Sequence, residues 1–183
     1  MENLSKHLGD QKFRVLFHED EIKKRVRALA DQISKDYKDR GEPLIIIGVL
    51  KGALIFIADL VRELKIKVQI EFIKASSYID TKSSGEINIL DHIPDLRGKH
   101  ALIVEDIIDS GLTIKTLCEI IKRKNPSSLE ICTLFEKPEM LKEPIPHINY
   151  IGFKIPNVFV IGYGLDFNQN YRELPHVVEL LED

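Results

Sequence analysis

The sequence predicts one α/β domain built on a mostly parallel twisted sheet flanked by helices, and three observations carry that prediction. Short apolar, β-branched runs of strand type alternate with segments of helical spacing along the chain. One run, Leu44 to Leu50, is apolar throughout, as a central parallel strand covered on both faces must be. The length of 183 residues, 44% of them hydrophobic and 30% charged, suits a single domain over residues 1–183. Such a chain buries roughly 70% of its unfolded surface on folding and needs no staples.

The elements follow in order. Phe13, Val15 and Phe17 alternate with polar residues as in a half-buried strand. Ile22, Val26, Leu29, Ala30, Ile33 and Tyr37 recur at helical spacing, and Glu19, Asp20 and Glu21 favour a helix start before them. After the strand Leu44 to Leu50 and a Lys51-Gly52 turn comes Ala53 to Leu64, a helix apolar on nearly every side until its last turn. Such a helix needs cover on more than one side, so a partner subunit is expected beside it in addition to the sheet. Val68 to Ala75 is the next strand, and Ser76 to Glu86 is polar and small. Ile87, Ile89 and Leu90 close a small hairpin, and Asp95 to Lys99 turns into the apolar run Ala101 to Val104. The helical pattern Ile114, Leu117, Ile120, Ile121 leads to a strand over Ser128 to Phe135. Pro138, Pro144 and Pro146 exclude a continuous helix or central strand in the connector that follows. Strands are expected at Tyr150 to Phe153, Asn157 to Gly162 and Val177 to Leu181, with a polar segment, Leu165 to Glu173, before the last.

Composition excludes several classes. Cys118 and Cys132 lack metal-type spacing and fall in apolar patterns, so they read as reduced core residues of a cytoplasmic protein. The N-terminus has no apolar h-region, and no apolar run approaches the roughly 20 residues of a membrane span, so no membrane association is expected. A net charge of −3 and a pI near 6.1 give no global attraction to nucleic acid. The six His residues are scattered and carry no assignment.

The chemistry is concentrated in Val104-Glu105-Asp106-Ile107-Ile108-Asp109-Ser110-Gly111-Leu112-Thr113, where a strand, a polar loop and a helix start meet. Free backbone N–H groups in the first turn of the helix would let Ser110, Gly111, Leu112 and Thr113 cradle a phosphate. Gly111 permits close backbone approach and the two hydroxyls add donors. A site for phosphate alone would not carry Glu105, Asp106 and Asp109 beside the anion. Adjacent acids on a strand point to opposite sides, so one suits sugar hydroxyls or a hydrated magnesium ion while the other is held inside. Spacing leaves a second reading equally open, in which the acids are a solvated strand end and Ser-Gly a capped turn.

That stretch resembles the phosphoribosyl-pyrophosphate (PRPP) binding motif of the type I phosphoribosyltransferases, and more narrowly that of the hypoxanthine-guanine phosphoribosyltransferases. The resemblance runs from about Phe13 to the C-terminus and implies the family's fold, with a small hood formed from the chain termini. It implies that the backbone amides of Lys51 and Gly52 face pyrophosphate next to a cis peptide, that Ser77 and Tyr78 belong to a mobile lid, and that Arg172 binds pyrophosphate. Asp166 matches a magnesium-water contact, Phe159 a ring that stacks on the purine with Val160 beside it, and Lys137 a lysine that selects the base. Leu112 departs from the lysine that some members carry, which reduces charge assistance and leaves the backbone N–H in place.

The reaction so implied moves 5-phosphoribose from PRPP to N9 of hypoxanthine or guanine, releasing pyrophosphate and giving IMP or GMP. Asp109 takes the N7 proton, Ser110 to Thr113 hold the 5-phosphate, and Glu105 and Asp106 hold the ribose hydroxyls. Magnesium bridges sugar and pyrophosphate, with Glu105, Asp106 and Asp166 as its side-chain partners. A homodimer or homotetramer is expected. The competing class is a PRPP-sensing, RNA-binding regulator on the same fold, but its basic face is not evident, because the Lys and Arg residues are dispersed among acids. A P-loop nucleotide hydrolase is excluded by the absence of Gly-x-x-x-x-Gly-Lys-Ser/Thr.

Overall fold

The computed structural model describes residues 8–9, 11–77, 87–89, 93–142 and 145–181. Tyr78 and the rest of the expected lid beyond Ser77 lie outside the described residues, as do Leu90 and Pro144. The elements are β1 (Phe13–Phe17), α1 (Glu19–Tyr37), β2 (Leu44–Leu50), α2 (Leu54–Glu63), β3 (Val68–Ser77), β4 (Ile87–Ile89), β5 (His100–Ile108), α3 (Leu112–Lys122), β6 (Ser128–Glu136), a 3₁₀ turn (Pro138–Met140), β7 (Tyr150–Lys154), β8 (Val160–Ile161) and β9 (Val177–Leu180).

Six strands form the main sheet in the order β4-β3-β2-β5-β6-β7. Five of them are parallel, and β4 folds back antiparallel on β3 as the expected hairpin. The uninterrupted apolar run of β2 is explained by the two layers around it. Leu44 and Ile46 enter the core shared with α1 and α2, whereas Ile45 and Ile47 enter the core under α3 with Leu117, Cys118 and Ile121. Both cysteines are buried free thiols, as expected. Phe56 of α2 has no exposed surface. Removing its ring by Phe56→Ala is expected to destabilise the fold by about 3–5 kcal/mol, which urea unfolding would read as a lower midpoint with unchanged slope.

The chain ends form a separate three-stranded antiparallel sheet, β1-β9-β8, over a small core of Leu8, Ile161, Leu174 and Val178. This is the expected hood. The strand expected over Asn157 to Gly162 shrinks to Val160–Ile161. The cause is local, since Val158 N–H turns back to the Pro156 carbonyl at 2.9 Å and cannot join a ladder.

Helix α2 also differs from expectation in what covers it. Phe56, Ile57 and Leu60 are buried and Ile55 and Val61 partly so, within a core that α1 supplies with Ile22, Val26, Leu29 and Ile33. Much of the face assigned to a partner is therefore covered by α1. Among the described residues, Leu54, Ile70 and Phe72 remain exposed apolar positions on α2 and β3.

Candidate active site

The carboxyl ends of the parallel strands gather the candidate residues along one edge, where ligands bind in open α/β sheets. Strand β5 runs on through Glu105 and Asp106 to Ile108, farther than its apolar stretch alone required. Both acids are buried, at 7% and 8% exposure, so the expected division into one inner and one outer acid does not hold. Glu105 folds back to accept the Asp106 N–H at 3.3 Å, and Asp106 lies under the Lys51-Gly52 turn. Burial, reinforced by the Asp106 charge, pushes the Glu105 carboxyl well above the usual range. Asp106 is raised by burial too, with a hydrogen bond from Glu105 and the Arg172 charge opposing.

Past the strand the chain makes the expected turn. Asp109 is exposed and its carboxylate accepts the Ser110 N–H. Gly111, at φ 79°, is the residue before α3, and no described side chain caps that helix's first turn. A Cβ at Gly111 would lie 2.5 Å from Ile145 Cγ2, so glycine is required for both conformation and space. Ser110 and Thr113 are partly buried, and Leu112 is 37% exposed with its side chain outside the core. The first-turn amides of α3 thus remain available to an anion.

Strands β5 and β6 pair Ile108 with Glu136, and the Lys137 N–H donates to the Ile108 carbonyl at 2.9 Å. Asp109 and Lys137 therefore leave adjacent parallel strands side by side. Burial lowers the Lys137 pKa, while the Asp109 carboxylate acts against that shift. The chain then returns through Ile155, whose N–H donates to the Glu136 carbonyl at 2.9 Å, towards Phe159 and Val160. Phe159 is 51% exposed, and its ring stands edge-on to Phe167 with centroids 5.7 Å apart; Val160 is buried in β8. A half-exposed ring there is free to stack on a planar ligand.

On the other side of the acids, the Leu50-Lys51 peptide is cis, as the resemblance implied. A Cβ on Gly52 would lie 1.7 Å from Asp106 Oδ2, and one on Gly164 would lie 2.1 Å from the Gly52 carbonyl oxygen. Three segments touch here with no room for one carbon. Lys51 Nζ donates to Gln169 Oε1 at 3.0 Å. Arg172 is held by Asp166 at 2.7 Å and by the Gly164 carbonyl at 2.7 Å. Asp166 also accepts the Gln169 N–H at 2.8 Å. The Arg172 guanidinium is thereby fixed in place, with its charge acting on Asp106 of the acidic strand. Ser77 closes β3 with its backbone opposite Ile87.

Sequence reasoning passed over Gln169 and Gly164. Gln169 is one polar residue among several in Asp166 to Arg172, with nothing local to single it out. Gly164 was findable, since Gly162-Tyr163-Gly164 after a strand marks backbone that must bend or approach closely. Glu105, Asp106 and Asp166 offer the oxygen donors that a hard cation takes, but among the described residues no three His, Cys, Asp or Glu side chains are gathered into a metal-holding group, and Asp166 is engaged by Arg172. Among the described residues no helix is long and apolar enough to cross a membrane.

Comparison with known proteins gives a consistent result. The family model described as phosphoribosyl transferase domain matches residues 16–168. The chain is 49% identical over 174 residues to the hypoxanthine-guanine phosphoribosyltransferase of Dictyostelium discoideum, covering 92% of this chain and 96% of that protein. It is 43% identical over 169 residues to the hypoxanthine phosphoribosyltransferase of Escherichia coli K12, covering 91% and 94%. A solved hypoxanthine-guanine phosphoribosyltransferase from Bacillus anthracis superposes with a TM-score of 0.86 at 40% identity, over 94% of this chain and all of that one. A solved Trypanosoma cruzi hypoxanthine phosphoribosyl transferase, described for the role of its C-terminal region in oligomeric state and activity, gives 0.88 at 40% identity over 94% and 93%.

Proposed function

The chain belongs to the phosphoribosyltransferase family, in its hypoxanthine-guanine branch, and from that premise we propose how the site described above performs the branch's reaction. The enzyme transfers 5-phosphoribose from PRPP to N9 of hypoxanthine or guanine, forming IMP or GMP and pyrophosphate. The observation that carries the assignment of roles is the emergence of Asp109 and Lys137 side by side next to the phosphate-binding turn. One is a proton acceptor and the other a donor, at the spacing of neighbouring strands, which suits the two polar edges of an oxopurine.

The base is the nucleophile. N9 bonds to C1′ of the ribose as the C1′–oxygen bond to pyrophosphate breaks, pyrophosphate leaves with the electron pair, and Asp109 takes the N7 proton. Ser110 to Thr113 hold the 5-phosphate through first-turn amides and hydroxyls. The amides of Lys51 and Gly52 and the guanidinium of Arg172 take the pyrophosphate, and the Phe159 ring faces the purine with the backbone of the buried Val160 beside it. Glu105 and Asp106 receive the ribose hydroxyls. Magnesium, when bound beside Glu105, Asp106 and Asp166, supplies positive charge against the pyrophosphate.

Purified protein given PRPP, magnesium and a panel of bases is expected to release pyrophosphate with hypoxanthine and guanine. Release with neither base would end the assignment. The relatives reported above are all named as phosphoribosyltransferases, which favours the enzyme over the RNA-binding regulator.

Association with a second copy of the chain is proposed through the N-terminal end of α2 and the outer face of β3, where Leu54, Ile70 and Phe72 stay exposed. Sedimentation at micromolar concentration is expected to give at least a dimer, and Phe72→Lys to weaken it. A monomer with full activity would contradict this.

A further inference from the structure

Resting on the functional reading above, we infer that Tyr163 and Asp59 form a positioning pair that sets the pyrophosphate-binding groups of two distant segments at their working separation. Neither residue belongs to the acidic loop or to any motif singled out in the sequence. Tyr163 lies in β8's exit between Gly162 and Gly164, and all three residues have positive φ, at 94°, 50° and 99°. For the two glycines this is ordinary. A tyrosine adopts it only where surrounding contacts impose it.

Two contacts fix Tyr163. Its N–H donates to the Leu174 carbonyl at 2.7 Å, and its hydroxyl donates to Asp59 Oδ2 at 2.6 Å. The ring is 4% exposed, and burial together with the Asp59 contact raises the hydroxyl's pKa, keeping it a proton donor. Asp59 sits on α2, which begins directly after the Lys51-Gly52 turn, and its other oxygen is held by Arg62.

The consequence is carried by the residue after the tyrosine. Gly164 offers its carbonyl to Arg172 at 2.7 Å and its N–H to the Arg172 carbonyl at 2.9 Å. The same Gly164 packs on the Gly52 carbonyl oxygen so closely that no Cβ fits between them. Tyr163 and Asp59 thus tie the segment bearing Arg172 to the segment bearing Lys51 and Gly52, one helical stretch away from the anion. Neither residue touches the reacting atoms. Losing the link lets the guanidinium and the amides drift apart, which weakens binding of the group they share and leaves the proton transfer at Asp109 unaltered.

The test is steady-state kinetics of Tyr163→Phe, Asp59→Ala, Asp59→Asn and the Tyr163→Phe/Asp59→Ala double variant, each checked for folding by circular dichroism. Tyr163→Phe is expected to raise KM for PRPP about tenfold, the scale of one lost hydrogen bond to a charged acceptor. KM for hypoxanthine and kcat should move far less. Asp59→Asn, whose amide oxygen still accepts the hydroxyl, should recover most of the loss seen in Asp59→Ala, and the double variant should be no worse than either single one. A purely structural role would lower the melting temperature and leave KM for PRPP unchanged, which would overturn the inference. Additive effects in the double variant, or an Asp59→Asn enzyme as impaired as Asp59→Ala, would also overturn it. Should Tyr163→Phe not fold, the two Asp59 variants give the same comparison. A wild-type protein without pyrophosphate release would instead end the functional reading itself, so the two failures are distinct.

Discussion

Asp109→Asn is expected to lower turnover by roughly 10²- to 10⁴-fold, the usual effect of removing a proton-transfer group, while KM for PRPP stays close to wild type. The substitution isolates the proton. An asparagine oxygen can still accept the Ser110 N–H that Asp109 accepts, so the turn into α3 keeps its form. The other two acids are poor candidates for the same task. Glu105 and Asp106 are buried within β5, tied to each other and to the Gly52 turn, whereas Asp109 is exposed beyond the strand and beside Lys137. Single-turnover measurement at saturating PRPP would separate chemistry from product release. An Asp109→Asn enzyme with native turnover would remove the assignment and return attention to the buried pair.

How far this site was legible depends on what kind of signal each part leaves in the sequence. Strand β2 was readable to the residue because burial on both faces demands a continuous apolar run. The β5 to α3 turn was readable because its residues lie together in the chain and each supplies a backbone or side-chain group to one place. The segment 157 to 162 misled because an apolar run does not disclose that Val158 is already committed to a local turn. Helix α2 misled in a different way: its excess of apolar faces was real, and part of the partner proved to be α1 of the same chain. Contacts among Gly52, Asp106, Gly164 and Arg172 join positions more than a hundred residues apart in the extreme case, and only packing brings them together. No periodicity encodes a missing Cβ. The same is true of the Lys51 to Gln169 hydrogen bond, since either residue alone reads as a solvated side chain.

Base choice should depend on Lys137, and the expected effect is large. Its ammonium carries three donors and no acceptor, so at the six-position of the purine it favours the carbonyl of hypoxanthine or guanine. The amino group of adenine would face it donor to donor. Discrimination of this type reaches about 10⁴-fold when the wrong partner leaves a polar group unpaired. Native protein is therefore expected to use hypoxanthine and guanine with little activity on adenine, and Lys137→Ala to lose that preference with KM for PRPP nearly unchanged. The environment adds a second readout. Burial lowers the pKa of Lys137 below that of an ordinary lysine, with Asp109 opposing, so the side chain loses its proton at a lower pH than a solvated one. Once neutral it gains an acceptor lone pair, and the penalty against an amino group falls. Selectivity against adenine should accordingly decline as pH rises in the native enzyme and show no such decline in Lys137→Ala. Measuring kcat/KM for the three bases across that range tests both claims together. Adenine as the best native substrate, or full selectivity retained in Lys137→Ala, would show that the base is chosen by some other group.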